Sequence, residues 1–407
     1  MSRQLDVYVD WNGPVHAGRL WIHRQKGRES ASFEYTREWL ETGFAFEPAL
    51  PLVAGSFHTE PSLSLFRSFA DSAPDRWGRV LLKRQEAFFS RRDARPPKTL
   101  LESDFLLGVN DVTRQGAFRF TEAGRSVFLT QPEAGYSVPP LVRLRAVLNA
   151  SVRVAAHSER EQDLRLLLAP GSSLGGARPK ASVTDEKGRL MIAKFPHPHD
   201  EWDVPLWEYV AFCLAREAGL DVPDFRLETV GDLHVLLVGR FDRTGKSRVP
   251  FASAMTLLEA QDGENRSYLE LAEVVQQDGA RPAADLRELW KRMVFNVLIA
   301  NVDDHLRNHG FLREAEGWVL SPVYDLEATP ATHKARILHT FITDSDGTAE
   351  PELALSVAKY FGLSPKEAVE TVAAMQKVVS RWEMLARQTG AKAHEIELMR
   401  SAFTLPD

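Results

Sequence analysis

Apolar and polar positions alternate over residues 5–10 and 15–22, with Asn12-Gly13 between the two runs. A period of two interrupted by a turn dipeptide predicts a β-hairpin. Residues 71–85 open on capping residues and Pro74, then take helical apolar spacing. Residues 104–120 end in Gly116-Ala-Phe-Arg-Phe, which reads as a strand, and 139–168 carry helical periodicity with many charges. A second hairpin is predicted where Ala181 to Thr184 and Leu190 to Phe195 flank Asp185-Glu-Lys-Gly188-Arg. Its alternation puts Leu190, Ile192 and Lys194 on one face. Residues 205–219 read as a helix with Gly219 as C-cap, and 233–241 as a buried apolar strand. After residue 250 helical spacing dominates, at 267–277, 285–300, 351–361 and 365–388, with Pro282 and Pro322 as punctuation and a short strand at 318–320. The fold class predicted is α+β: mixed in the first part, mostly helical in the last.

Length and composition narrow this. The 407 residues are 44% hydrophobic and 26% charged, enough for two or three domains with a sizeable core. The 50 Lys and Arg against 56 Asp and Glu leave a net charge of −6, which argues against nucleic-acid binding driven by overall charge. The basic stretch at 91–98 is a local contact or a solvated loop. A single cysteine, Cys213, excludes an intramolecular disulfide and a Cys-rich zinc site, and fits a reducing compartment. No apolar run resembles a secretory signal or a membrane span, so a cytoplasmic protein without membrane contact is expected.

The candidate chemistry centres on Asn301-Val-Asp303-Asp304-His305-Leu-Arg307-Asn308-His309, polar residues that follow the apolar stripe Leu286, Trp290, Met293, Val297. Polar groups beside so apolar a segment need partners, a metal or a substrate. A capped helix end followed by a solvated loop is the plain alternative. Two chemistries fit. Asp303, Asp304, His305 and His309 could bind a transition metal for hydrolysis. Alternatively, Asp303-x4-Asn308 has the spacing of a kinase catalytic loop, with an Asp that accepts the proton of the attacking hydroxyl and an Asn that holds Mg²⁺.

Phosphoryl transfer needs further parts, and the chain offers each in serial order. Gly171-Ser-Ser-Leu-Gly175-Gly176-Ala-Arg178-Pro-Lys180 supplies paired glycines and cations for a phosphate nest, though it is neither a Walker loop nor GxGxxG. Lys194 lies on an apolar strand, where a charge is uncommon and snorkelling is the plain alternative. Glu208, 14 residues on, could hold that lysine from the following helix or be a surface glutamate. Asp325 in Pro322-Val-Tyr324-Asp325 supplies a downstream carboxylate, or a turn residue.

The order and the motifs resemble the HipA family, serine/threonine kinases of bacterial toxin–antitoxin systems. Ser172-Ser-Leu-Gly-Gly-Ala-Arg-Pro-Lys-Ala181, Gly239-Arg-Phe-Asp-Arg243, Asp303-Asp-His-Leu-Arg-Asn308 and Pro322-Val-Tyr-Asp325 carry the likeness. Pro74-Asp-Arg-Trp-Gly-Arg79 and Asp104-Phe-Leu-Leu-Gly-Val-Asn-Asp111 are similar to its N-terminal region. The resemblance implies a kinase-like bilobal fold: an N-terminal subdomain over 1–110, a lobe with phosphate loop and strand lysine over 111–250, and a helical catalytic lobe over 251–407. It implies Asp303 as catalytic base, Asn308 and Asp325 as Mg²⁺ ligands, and Lys194 on the phosphates; Glu208 as the lysine's partner rests on spacing. Leu174, Gly175, Gly176, Ala177, Arg178, Pro179 and Lys180 would form the phosphate loop. Gly239, Arg240 and Phe241 would be the hinge at adenine, and His305, Arg307 and Tyr324 would line the ATP site. Some relatives carry an acidic residue where Gly239 stands, so a backbone contact to adenine is implied there. The family also implies inhibitory autophosphorylation at Ser173, with Ser172 competing, and restraint by a HipB-type antitoxin that carries the DNA contact. The substrate would be a Ser or Thr of a cellular protein, in some relatives a translation component. A catalytically inactive corepressor module is the remaining alternative, against which the intact Lys194, Asp303, Asn308 and Asp325 set stands.

Overall fold

The two alternating runs form the antiparallel strands Ser2–Asp10 and Pro14–Gln25, closed at Asp10 opposite Pro14 and bulged between Val7 and Tyr8. One face of the pair, with Leu5, Val7, Val9, Leu20 and Ile22, is buried. The computed structural model describes residues 2–130, 138–168, 176, 178–245 and 247–405. The chain divides into two units, Met1–Pro198 with Asp242–Ala252, and His199–Phe241 with Ser253–Asp407.

In the first unit the strand Arg28–Tyr35 pairs beside Pro14–Gln25, Phe57–His58 edges it, and Phe118–Glu122 pairs on the far side of Ser2–Asp10. Gly18 is required at the centre: a Cβ there would lie 2.3 Å from the Phe33 ring. Phe33, Tyr35, Phe46, Phe69 and Phe118 pack edge to face beneath the sheet, the preferred arrangement for aromatic quadrupoles. Helices follow at Arg67–Asp71, Arg76–Arg92, Glu102–Gly108, Leu144–Ala155 and Glu161–Leu168. The helix expected after the capping residues and Pro74 is Arg76–Arg92, which runs on past residue 85. Pro74 and the N-cap Asp75, whose side chain accepts from Gly78 N–H, set its start at Arg76. The hairpin Lys180–Thr184 and Leu190–Lys194 closes the unit, with Lys180 directly opposite Lys194.

In the second unit Asp203 caps the helix Val204–Glu217. The helix ends at Ala218, and Gly219 stands one place beyond at φ 76°. Leu220 N–H bonds Ala215 O and Gly219 N–H bonds Arg216 O, a Schellman closure that needs the left-handed glycine. The strands Phe225–Val230 and Leu233–Gly239 pair across a two-residue turn, and the predicted strand stops at Gly239, before Arg240 and Phe241. The helices Tyr268–Asp278, Pro282–Leu298, Pro351–Val357, Pro365–Val379, Trp382–Thr389 and Ala393–Phe403 complete the unit. Pro282–Leu298 is its axis: Leu289, Trp290, Met293, Val294, Phe295 and Val297 are fully buried, and Trp290 Nε1 donates to Ala354 O. The single helix expected over 365–388 is two, broken at Ser380 and Arg381, and the one over 351–361 relaxes into a 3-10 turn before Gly362. Among the described residues no helix is long and apolar enough to cross a membrane.

Candidate active site

The loop after the axial helix is built on a positive-φ residue. Ile299 caps the helix, Ala300 takes φ 49°, and Asn301 N–H returns to Asn296 O. A buried polar chain then runs inward. Asn301 Nδ2 donates to Asn296 Oδ1 at 3.0 Å, Asn296 Nδ2 to the Tyr268 hydroxyl at 3.0 Å, and that hydroxyl to Asp304 Oδ2 at 2.8 Å. Asp304 Oδ1 accepts the backbone N–H groups of His339 and Thr340, and Thr340 Oγ1 donates to Asp304 O. Burial pushes the Asp304 carboxyl up to about 8 and the Tyr268 hydroxyl well above its ordinary value.

His309 is equally committed. It is buried edge-on to Tyr268, and its Nε2 lies 3.2 Å from Asp304 O, so this nitrogen carries the proton. Burial lowers its pKa to about 3 and keeps the ring neutral. The metal-hydrolase reading of the Asp303, Asp304, His305 and His309 cluster is overturned here, because Asp304 and His309 are spent on scaffolding the loop. Among the described residues no group of three or more His, Cys, Asp and Glu could hold a metal ion.

Asp303 is the residue the scaffold presents. Its side chain is about half exposed (46%), with Oδ1 3.2 Å from the Lys334 ammonium. Its carbonyl receives His305 N–H at 2.8 Å and Asn308 Nδ2 at 2.9 Å, while Asn308 N–H closes on His305 O. These bonds coil 303–308 into a tight turn. They also use the amide of Asn308 and leave its Oδ1 buried without a hydrogen-bond partner among the described residues. An unpaired buried carbonyl oxygen is costly unless a ligand or water meets it.

The strands Gly310–Arg313 and Trp318–Leu320 fold back so that Ser321 N–H bonds Gly310 O, and the Tyr324 hydroxyl donates to Arg307 O at 2.6 Å. Asp325 follows with φ 53°, in the left-handed region that Asp and Asn enter more readily than other non-glycine residues. Burial lowers the His305 pKa, and the carboxylates of Asp303 and Asp325 both oppose that shift, so His305 lies within the field of both. Arg307 is exposed and paired with Asp262. Phe241 packs on Tyr324 with ring centres 5.5 Å apart. Gly239 N–H bonds Asp224 O at 2.7 Å, and a Cβ on Gly239 would stand 3.3 Å from that carbonyl. Arg240 and Glu208 are buried, so Glu208 is not a surface glutamate.

In the first unit Gly176 has φ 90°, Pro179 O accepts Phe195 N–H, Arg178 and Lys194 are half-buried, and Lys180 is buried. Leu174, Gly175, Ala177, Ser172 and Ser173 lie outside the described residues. No sequence signal marks Tyr268 or Lys334, which stand 36 and 31 residues from the acids they meet.

Comparison with known proteins adds identity to this geometry. The HipA-like C-terminal domain matches residues 172–382, over half of the chain, and the HipA N-terminal domain matches 5–97. The chain belongs to the HipA family. A chain of the Shewanella oneidensis MR-1 toxin–antitoxin complex of HipA, HipB and operator DNA superposes with a TM-score of 0.67 at 16% identity, over 98% of this chain and 95% of that one. The fold is therefore the α+β, kinase-like fold of HipA. Two curated proteins of Sinorhizobium fredii are similar: "Putative kinase Y4dM", 32% identical over 35% of this chain, and "Putative kinase Y4mE", 27% identical over 39%. The match spans 38% and 43% of their own lengths.

Proposed function

We propose that this HipA-family chain is an ATP-dependent protein serine/threonine kinase. The observation that carries the reading is the division of labour in 303–309. Asp304 and His309 are consumed by the scaffold, Asp303 is held out toward solvent, and Asn308 keeps an unpaired buried oxygen. Asp303 would orient the hydroxyl of the acceptor Ser or Thr and take its proton as the bond to the γ-phosphorus forms. Asn308 and Asp325 offer the oxygen donors a hard divalent cation requires, and the orphaned Asn308 Oδ1 fits that need. When bound there, Mg²⁺ supplies charge neutralisation for the phosphates. Lys194 would contact the phosphates, with the buried Glu208 as its counter-charge. Residues 174–180 would form the phosphate loop, of which Gly176, Arg178, Pro179 and Lys180 lie within the described residues. The backbone of Gly239, Arg240 and Phe241 would meet adenine, and His305, Arg307 and Tyr324 would line the nucleotide site.

Regulation is part of the proposal. Phosphorylation of Ser173, or of Ser172, would add about −1.5 to −2 charges beside the glycine loop and displace it. A HipB-type antitoxin would restrain the kinase and carry the DNA contact, as the composition of the Shewanella complex suggests. Phosphopeptide mapping after incubation with Mg-ATP is expected to find one of the two serines modified; both unmodified in active enzyme would remove that element.

The deciding experiment is calorimetry with Mg-ATP beside a phosphoryl-transfer assay. Asp325→Ala is expected to weaken Mg-ATP binding by at least about tenfold, or 1.4 kcal/mol. Asp303→Ala should bind Mg-ATP like the parent and transfer no phosphate. Equal binding and turnover in all three proteins would overturn the roles assigned.

A further inference from the structure

The stretch Pro74-Asp75-Arg76-Trp77-Gly78-Arg79 has no part in the chemistry above, yet two of its side chains close on one residue at the exit of the glycine loop. Asp75 Oδ1 accepts Gly78 N–H at 2.8 Å and caps the helix Arg76–Arg92. Its Oδ2 lies 2.9 Å from the Lys180 ammonium, and the two side chains are 5% and 4% exposed. Trp77 Nε1 donates to the carbonyl of the same Lys180 at 2.9 Å. One helical turn thus grips Lys180 by its charge and by its backbone. Gly176 stands beside this pair: with φ 90°, an added Cβ there would meet the Lys180 ammonium at 3.1 Å.

The register of the hairpin explains why a counter-charge is needed there. Lys180 and Lys194 are direct cross-strand partners, so both side chains leave the same face. Like charges so placed repel, and a buried ammonium without a partner is expelled or loses its proton. Asp75 neutralises Lys180 where it stands, which makes it a fixed post opposite Lys194, the hairpin's proposed phosphate contact. We propose that Asp75 and Trp77 are positioning residues for nucleotide phosphates: they clamp Lys180, and through it set the backbone of 178–180 and the opposing Lys194, while Lys180 makes no direct phosphate contact. The proposal rests on the kinase reading for its ligand, but the clamp is measurable without one.

The test uses the full chain with Asp75→Asn, Trp77→Phe, Lys180→Met and the double variant Asp75→Asn/Lys180→Met. Backbone hydrogen exchange over 178–184 is measured without nucleotide, and affinities for Mg-ATP and for adenosine by calorimetry. Each single variant is expected to exchange faster in that segment and to lose about tenfold in Mg-ATP affinity, with adenosine affinity unchanged. The double variant should lose no more Mg-ATP affinity than a single one. It should also recover melting temperature relative to Asp75→Asn or Lys180→Met, because neutral isosteres leave no uncompensated buried charge. Unchanged exchange and Mg-ATP affinity in Asp75→Asn and Trp77→Phe would overturn the clamp. A far greater loss in Lys180→Met than in Asp75→Asn, compounding in the double variant, would make Lys180 a phosphate ligand and overturn it as well. A parent chain with no Mg-ATP affinity would sink the kinase reading instead, and the exchange comparison would still decide the clamp.

Discussion

Asp303 and Asp304 are adjacent and chemically alike, and burial alone separates their uses. Asp304 is 1% exposed with three donors on its carboxylate, and Asp303 keeps about half of its side chain in solvent. His309 depends on the same burial, and its titration tests it. Its folded pKa of about 3 lies below the ordinary 6.5. Above pH 6.5 neither state protonates, and the stability tied to the neutral ring is fully present. As pH falls from 6.5 toward 3 only the unfolded chain takes up the proton, so that stability is lost. His309→Gln keeps an N–H for Asp304 O and does not titrate. The excess stability of the parent over this variant is therefore expected to shrink between pH 7 and 4, by on the order of 2–3 kcal/mol. The Asp304 carboxyl has the opposite slope, its contribution falling as pH rises toward about 8, but it is common to both proteins and drops out of the difference. Urea denaturation at pH 7, 5.5 and 4 measures this. A pH-independent difference would place the His309 ring in contact with solvent protons.

At the scale of elements, Tyr268 shows how a helix reaches a loop it does not adjoin in sequence. The helix Tyr268–Asp278 begins with a Ser267 and Glu270 capping box, which fixes its first turn and so the Tyr268 hydroxyl between Asn296 and Asp304. Tyr268→Phe removes that hydroxyl and leaves two buried polar groups short of a partner. It is expected to cost about 1–3 kcal/mol in urea unfolding and to slow phosphoryl transfer through a loosened 303–308 turn. Unaltered stability and turnover would show that the chain from Asn301 to Asp304 does not hold the loop. This dependence was not legible in the sequence, whereas the axial helix was, because Leu286, Trp290, Met293 and Val297 repeat locally at helical spacing. The break at Ser380 and Arg381 escaped for the opposite reason: no Gly or Pro marks it, and the apolar spacing runs on through Trp382. The strand Arg28–Tyr35 also escaped, since its identity comes from pairing with Pro14–Gln25 and its two flanks differ little in polarity. At the candidate site, residue types and spacing pointed to Asp303, Asn308 and Asp325. The commitment of Asp304 and His309 to scaffolding needed the fold.

For the whole molecule, the two units are not successive stretches of chain. Asp242–Ala252 returns to the first unit, where Asp242 Oδ2 accepts Gly116 N–H at 2.8 Å and Arg248 pairs with Asp111 at 3.2 Å. Contacts across more than 120 positions leave no local pattern in the sequence. Ligand-linked stability of the whole chain tests the proposed cation ligands without relying on catalysis. A ligand that binds only the folded chain at about 100 times its Kd stabilises it by about 2.7 kcal/mol. With an unfolding entropy of about 2.1 cal/mol/K per residue, a chain of this length should then melt roughly 3 °C higher. The parent and Asp303→Ala are expected to show this shift with Mg-ATP, and Asp325→Ala to lose most of it. With ATP and EDTA, so that no divalent ion is free, the shift should shrink in the parent to that of Asp325→Ala. A full shift in EDTA would mean that the nucleotide binds without the cation, and Asn308 and Asp325 would then have no metal to hold. The unpaired oxygen of Asn308 argues for the first outcome: Tyr268, Thr340 and His339 satisfy Asp304, whereas the buried Asn308 Oδ1 meets no donor among the described residues and suits a hard cation.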